Sequence, residues 1–399
     1  MIFHSIDNNS QCKTVYLEDK LISNPDYKQL TGTWDYKTDH DNDDIQYAKL
    51  YLSGKSIEAG CPLHLQAEWN KVKNKHNAFI KSFITSGVKA TDYCFYDLVP
   101  ESFLHEYFGH KIKIIEYILK THNKPPQYDY LLDLRKLLCS IEENKLCLDM
   151  SPLTPLLHQY KTRKFKERLN TLPPIISYKL FGTVTGRLTT QKNSFPILTL
   201  DKDYRCILKP NNDYFIEFDF NGAELRCLLA LNGKDQPEGD IHKWHEKIMS
   251  KIYNGEMDRG EIKRKMFAWL YGGLDASLGM PQIESYYNKR QALKKYWDGL
   301  KIVNPFGREI ECDEFRALNF LIQSTTSDLF LRRAIEVNNL LKGKKSKITA
   351  LIHDSILLDF SKEDKNILPD LLSTFEKTEL GNFRVNKKIG LNFGNMKEF

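Results

Sequence analysis

The chain has 399 residues, 41% of them hydrophobic, and carries 58 Lys and Arg against 52 Asp and Glu for a formal net charge of +6. Length and composition predict a globular protein of two or three lobes, and the mild positive charge permits a polyanionic partner without requiring one. No basic-then-apolar signal pattern opens the sequence and no apolar run approaches membrane-spanning length, which excludes a membrane partner and predicts a soluble, cytoplasmic chain.

Eight cysteines, at 12, 61, 94, 139, 147, 206, 227 and 312, form no C-x-x-C pair and have no His at zinc-finger spacing. They read as reduced packing thiols. Residues 1–100 are short mixed segments separated by turn signals such as Asn24-Pro25 and Ser53-Gly54. Asp39, Asp41, Asp43 and Asp44 superficially resemble a calcium loop, but Asp44 stands where a Gly is needed and Leu50 where a Glu is needed, so a solvated acidic loop is the reading. From Glu101 to about Arg168 the period is helical, and the basic run Lys161 to Leu169 reads equally as a solvated face or a phosphate-gripping arm.

From Ile175 onward strands and helices alternate without internal repeats. In FGTVTGRLTT, Gly182 and Gly186 permit close backbone approach while Arg187 projects from the turn, placed to reach minor-groove acceptors. DYFIEFDFNGAELR, Asp213 to Arg226, predicts a strand turning into a helix. Asp219 at the end of that buried strand is costly unless a cation accompanies it. Asp258 with Glu261 is a capping-box signature, Gly272-Gly273 closes the helix, and Arg259, Lys263, Phe267 and Tyr271 recur every four residues along one face. That face offers two cations for an anion at the helix start and a flat surface for a base; an ordinary amphipathic helix is the plainer alternative.

Three further stretches complete the set. NPFGREIE and KITALIHDSILLDF each predict a pair of strands about a turn, the second with Asp354 at its tip. Two carboxylates at strand ends suit divalent ions and phosphoryl transfer, although an Asp at a turn more often caps its own backbone. Asn319 and Gln323 are one helical turn apart, where amides solvate a helix or touch a duplex groove.

Read in order, VTGRL, DFNGAELR, GDIH, R-x-x-x-K-x-x-x-F-x-x-x-YG, NFLIQS and LIHDS resemble the motifs of the family A, or DNA polymerase I-like, DNA polymerases, over roughly Tyr160 to the C-terminus. The resemblance implies an α+β right-hand architecture with an antiparallel-sheet palm: an accessory or degenerate exonuclease-like region at 1–100, a helical thumb at 101–172, palm at 173–240 and 304–399, and helical fingers at 241–303. It implies DNA-templated extension of a primer 3′-hydroxyl with dNTPs, two Mg2+ ions with Mn2+ as a substitute, and primer-template DNA as partner. Asp219, Asp354 and the Phe220 carbonyl would hold the ions. His242, Arg259 and Lys263 would hold the triphosphate, and Phe267 and Tyr271 would pack on sugar and base. Glu224 would exclude a ribose 2′-hydroxyl, and Arg187, Asn319, Gln323 and His353 would contact primer and template. A single-subunit RNA polymerase is disfavoured by Glu224 with Phe267, and Phe267 implies discrimination against dideoxynucleotides.

Three positions depart from the family pattern. Gly222 replaces a polar amide, Ser355 replaces a carboxylate after the His-Asp tip, and Arg316 is one place out of register before Asn319. No exonuclease Asp-x-Glu is present, since Asn9 follows Asp7 at the needed spacing. The compact length implies a phage or mobile-element enzyme, and residues 1–100, lacking the acidic set of active proofreading, read as a degenerate remnant, an unrelated accessory piece or a docking surface for a separate exonuclease, with a processivity factor as a further partner. A catalytically silent DNA-binding subunit is the alternative from another class.

Overall fold

The structure, a computed structural model, describes residues 1–6, 13–88, 93–253, 258–272 and 280–399, without the side chains at 251–253. Asp7, Asn9 and Gly273 lie outside the described residues. The chain divides into two compact units, Met1–Cys139 and Ser140–Phe399, a boundary that falls inside the span read as a thumb.

The first unit holds a three-stranded antiparallel sheet, β1 (His4–Ser5), β2 (Thr14–Leu17) and β3 (Lys20–Ser23), and two long helices, α1 (Leu63–Thr85) and α2 (Glu101–Thr121). Phe103, Leu104, Tyr107, Phe108, Ile115 and Ile118 recur at helical spacing along α2 and form its buried stripe. Trp69 and Val72 of α1 close that stripe from the other side. In the acidic loop, Asp39 accepts from the Tyr27 hydroxyl and Asp43 pairs with Lys136. Among the described residues six cysteines are thiols outside any disulfide, whereas Cys94 is disulfide-bonded. The all-reduced reading is corrected at Cys94, because spacing along the chain does not reveal which thiols meet in space.

The second unit is built on five antiparallel strands. In chain order its main elements are β4 (Tyr214–Phe220), α3 (Ala223–Leu231), α4 (Ile241–Tyr253), α5 (Arg259–Tyr271), β5 (Lys301–Val303), β6 (Glu309–Glu311), α6 (Glu314–Leu340), β7 (Lys347–Ile352), β8 (Ser355–Phe360), β9 (Val385–Gly390) and β10 (Lys397–Glu398). The sheet order is β7-β8-β4-β9-β10, so β4 is hydrogen-bonded on both sides. Its Phe215, Ile216 and Phe218 are fully buried, as a central strand requires. Phe220 stacks on Phe375 of the helix Leu368–Glu376 at 4.3 Å between ring centres. The face opposite Ile216, Phe218 and Phe220 carries Phe215, Glu217 and Asp219, the alternation expected of a strand. Both predicted hairpins form, β5 with β6 and β7 with β8.

Between β4 and α3 the chain reverses at Gly222, whose φ of +65° is left-handed; a Cβ there would lie 2.6 Å from Ile241 Cγ2. Glycine is therefore a backbone requirement at this turn, which the loss of an amide alone did not explain. Ile262, Met266, Trp269 and Leu270 bury one side of α5 against Leu225 of α3 and Tyr287, leaving the Arg259 face outward.

Arg226 is fully buried on α3. Its guanidinium donates to the carbonyls of Asn221 (2.7 Å), Pro237 (2.9 Å) and Gly239 (2.8 Å), tying the turn after β4 to the loop before α4. Replacing it strands those carbonyls in the interior. Arg226→Met is expected to cost about 3–5 kcal/mol in urea unfolding, and Arg226→Lys to recover less than half of that loss.

Candidate active site

Asp219 lies next to the end of β4, and Asp354 sits in the two-residue turn between β7 and β8. Asp219 is opposite Ser355 in the ladder, and the Phe220 N–H donates to the Asp354 carbonyl at 3.3 Å. His353 takes a left-handed φ of +56° to close that turn. Both carboxylates line a cavity of about 340 Å³, together with Phe220 and His353.

Burial raises both acids. Asp354 is pushed up to about 7, first by desolvation and then by the Asp219 charge. Asp219 is pushed up to about 6, first by desolvation and then by Glu217, against a lowering hydrogen bond from Asn386. Among the described residues no cluster of three or more His, Cys, Asp or Glu forms a metal-binding group. Two buried carboxylates raised by desolvation and by neighbouring negative charge are nevertheless a donor set that a divalent, oxygen-seeking ion relieves, so these residues fit divalent metal ions.

The α5 face looks into the same cavity, through Arg259, Lys263 and Phe267. Arg259 donates to Asp240 Oδ2 at 2.8 Å. Asp240 Oδ1 accepts the backbone N–H groups of His242 and Lys243 and so caps α4. Burial alone would raise the Asp240 carboxyl; the Arg259 guanidinium, the Lys243 N–H and the Asn221 amide hold it far below the usual range. His242 also lines the cavity, and its Nδ1 is buried with no hydrogen-bond partner. Its pKa falls to about 4, from desolvation and then from Arg259, Lys263 and Arg226, so the ring is neutral at pH 7.

At the other side of the cavity Glu224, in the first turn of α3, is hydrogen-bonded and ion-paired to Arg187. The Arg187 side chain is thereby directed at Glu224. Tyr271 is raised above the ordinary tyrosine range by burial and by the Glu224 carboxylate. Phe267 lies nearly parallel to Tyr271 at 6.1 Å, making a flat aromatic wall.

Asn319 and Gln323 do not line the cavity. The Gln323 amide donates to Asn319 at 2.6 Å on α6, and it is Thr326 and Ser327, farther along that helix, that reach the lining. Sequence reasoning also missed Asn221, Asp240 and Asn386, which hold the rim together, and Glu217. Glu217 is 8% exposed, pairs with Lys388 at 2.9 Å and accepts from the Ser355 hydroxyl at 3.4 Å. A carboxylate thus stands beside position 355 although Ser355 lacks one. An acidic residue two places before Asp219 on the same strand face was the available signal.

No family model matches the chain. It is 25% identical over 279 residues to DNA polymerase I of Aquifex aeolicus, a match covering 60% of this chain and 48% of that protein, so the chain spans about half the length of the relative. Its fold is similar to the POL domain of Pol1 from M. smegmatis, solved in complex with DNA primer-template and dNTP. The TM-score is 0.57 with 13% identity, over 73% of this chain and 76% of that one. The fold is that of a polymerase domain. Among the described residues no helix is long and apolar enough to cross a membrane.

The raised acids make stability depend on pH. Asp354 has a folded pKa of about 7 against an unfolded value near ~3.9, so without metal its charge destabilises the fold above pH 7 and the penalty is relieved as pH falls toward 4. In EDTA, Asp354→Asn is therefore expected to be more stable than the wild type at pH 8 by on the order of 2–4 kcal/mol, a gain that closes by pH 4 in urea titrations.

Proposed function

We propose that the chain is a DNA polymerase I-like, family A, DNA polymerase, a DNA-templated enzyme extending a primer 3′-hydroxyl with dNTPs. The observation that carries this reading is the single cavity in which Asp219 and Asp354 face the Arg259 and Lys263 cations of α5. Anion-gripping side chains across from a buried carboxylate pair suit the binding of a triphosphate beside a divalent-ion site. Asp219, Asp354 and the Phe220 carbonyl would hold two Mg2+ ions, with Mn2+ as a substitute, and the ions would supply charge neutralisation and activation of an oxygen nucleophile there.

The remaining groups bind and orient. Arg259 and Lys263 take phosphate oxygens as fixed cations, while His242, neutral at working pH, donates an N–H without adding charge. The Phe267 and Tyr271 wall stacks on the base. Glu224, held in place by Arg187, fills the space of a ribose 2′-hydroxyl. Arg187, His353, Asn319 and Gln323 track primer and template. In this assignment the palm is 173–240 with 304–399, the fingers are 241–303 and the thumb is 101–172, with 1–100 an accessory or degenerate exonuclease-like region.

Primer extension with Mg2+ tests the reading directly. Asp219→Asn and Asp354→Asn are expected to lower extension by at least about 10³-fold while retaining primer-template binding; full activity in either variant overturns the assignment. Glu224→Ala is expected to raise ribonucleotide incorporation relative to dNTP by about 10-fold or more, read from competitive extension. A wild type that prefers ribonucleotides would instead mark an RNA polymerase, and one that binds DNA without extending it a silent scaffold.

A further inference from the structure

Arg259 and Asp219 stand on different elements, yet a continuous chain of polar contacts joins them. Asp240 Oδ2 receives Arg259 and also the Asn221 amide, at 2.8 and 3.0 Å. The same Asn221 amide donates to Asn386 Oδ1 at 3.3 Å, and Asn386 in turn donates to Asp219 Oδ2 at 3.4 Å. Asn221 is 1% exposed, and its own oxygen accepts the Ile241 N–H (2.9 Å) and Arg226 (3.3 Å), so its amide group is not free to turn. The guanidinium of Arg259 donates one N–H to Asp240 and is about half exposed, which leaves donors toward the cavity.

We propose that Asp240 is a positioning residue that aims Arg259 at the nucleotide's triphosphate and, through Asn221 and Asn386, ties that grip to the orientation of the Asp219 carboxylate. The inference rests on the polymerase reading and deepens it. A cation on a long exposed stem is held by one carboxylate oxygen, and the other oxygen of that carboxylate is fixed by the first turn of α4. The carboxylate therefore cannot rotate to follow the guanidinium, and the guanidinium is set by it. At the far end Asn386 fills the same function for Asp219, whose neighbour in the β4–β9 ladder it is. Binding of a triphosphate to Arg259 and retention of divalent ions at Asp219 become two ends of one hydrogen-bonded unit.

The test uses the full chain with primer-template and dNTP. Asp240→Asn keeps an equally good helix cap but removes the ion pair. It is expected to raise the dNTP KM by about 10-fold, more than it lowers kcat, and to weaken dNTP binding on a dideoxy-terminated primer-template by a similar factor, read from thermal stabilisation. In an Arg259→Met background the same substitution is expected to change dNTP binding by less than about 2-fold, because its effect passes through Arg259. Asn386→Leu is expected to raise the Mg2+ concentration needed for half-maximal thermal stabilisation by about 3-fold or more.

A merely structural role for Asp240 predicts a lower melting temperature with unchanged dNTP affinity, and that result overturns the proposal. So does an undiminished Asp240→Asn effect in the Arg259→Met background, or an unchanged Mg2+ requirement in Asn386→Leu. If the wild type itself neither extends a primer nor is stabilised by dNTP, the polymerase reading falls and the relay with it. A wild type that extends normally beside an unaffected Asp240→Asn enzyme removes the relay alone.

Discussion

The buried guanidinium of Arg226 is the contact on which the rest of the site depends. A fixed, planar set of donors inside a helix-and-sheet core must be met by acceptors, and here they are backbone carbonyls from two separate loops together with the Asn221 side-chain oxygen. Meeting them sets where the turn after β4 ends and where α4 begins. Four groups at the cavity or its rim take their positions from those two places: Asp219 just before the turn, Glu224 just after it, and Asp240 and His242 at the head of α4. The charge that makes Arg226 expensive to bury is thus also what joins the carboxylate edge of the sheet to the helices bearing the cations.

The electrostatics of the cavity follow a division of labour. Glu217, Glu224 and Asp240 each have a basic partner, in Lys388, Arg187 and Arg259. Among the described residues Asp219 and Asp354 have no ion-pair partner, and their pKa values rise instead. Burial penalises ionised carboxylates everywhere, but only these two are left for an external cation to relieve. Their tolerance within a folded domain comes from rigid support: β4 is paired along both edges, and the His353-Asp354 turn hangs from the same sheet.

Much of this was readable from residues alone. Strand alternation in FIEF, the helical recurrence of Arg259, Lys263, Phe267 and Tyr271, and the two hairpins all follow from local periodicity, and the structure has each of them. Asn386 and Lys388 were not legible, because β9 reads VNKKIG without apolar alternation and its register is imposed by β4. Nor was the turning of Asn319 and Gln323 toward each other, since helical spacing says that two amides are neighbours and not what they bond. The apolar stripe of Glu101–Thr121 likewise announced a packing partner without naming it; the stripe belongs to the first unit.

Gly222 leaves one more mark. The chain passes from strand to helix through a single left-handed residue, so the phase of α3 about its own axis is set by residue count from Asp219. Each helical residue turns the axis by about 100°. One residue inserted or removed between Gly222 and Glu224 would swing the Glu224 carboxylate roughly a quarter-turn away from Arg187, and no exchange of side chain could bring it back. In this short segment the interval itself is under stricter constraint than the identity of most residues that occupy it.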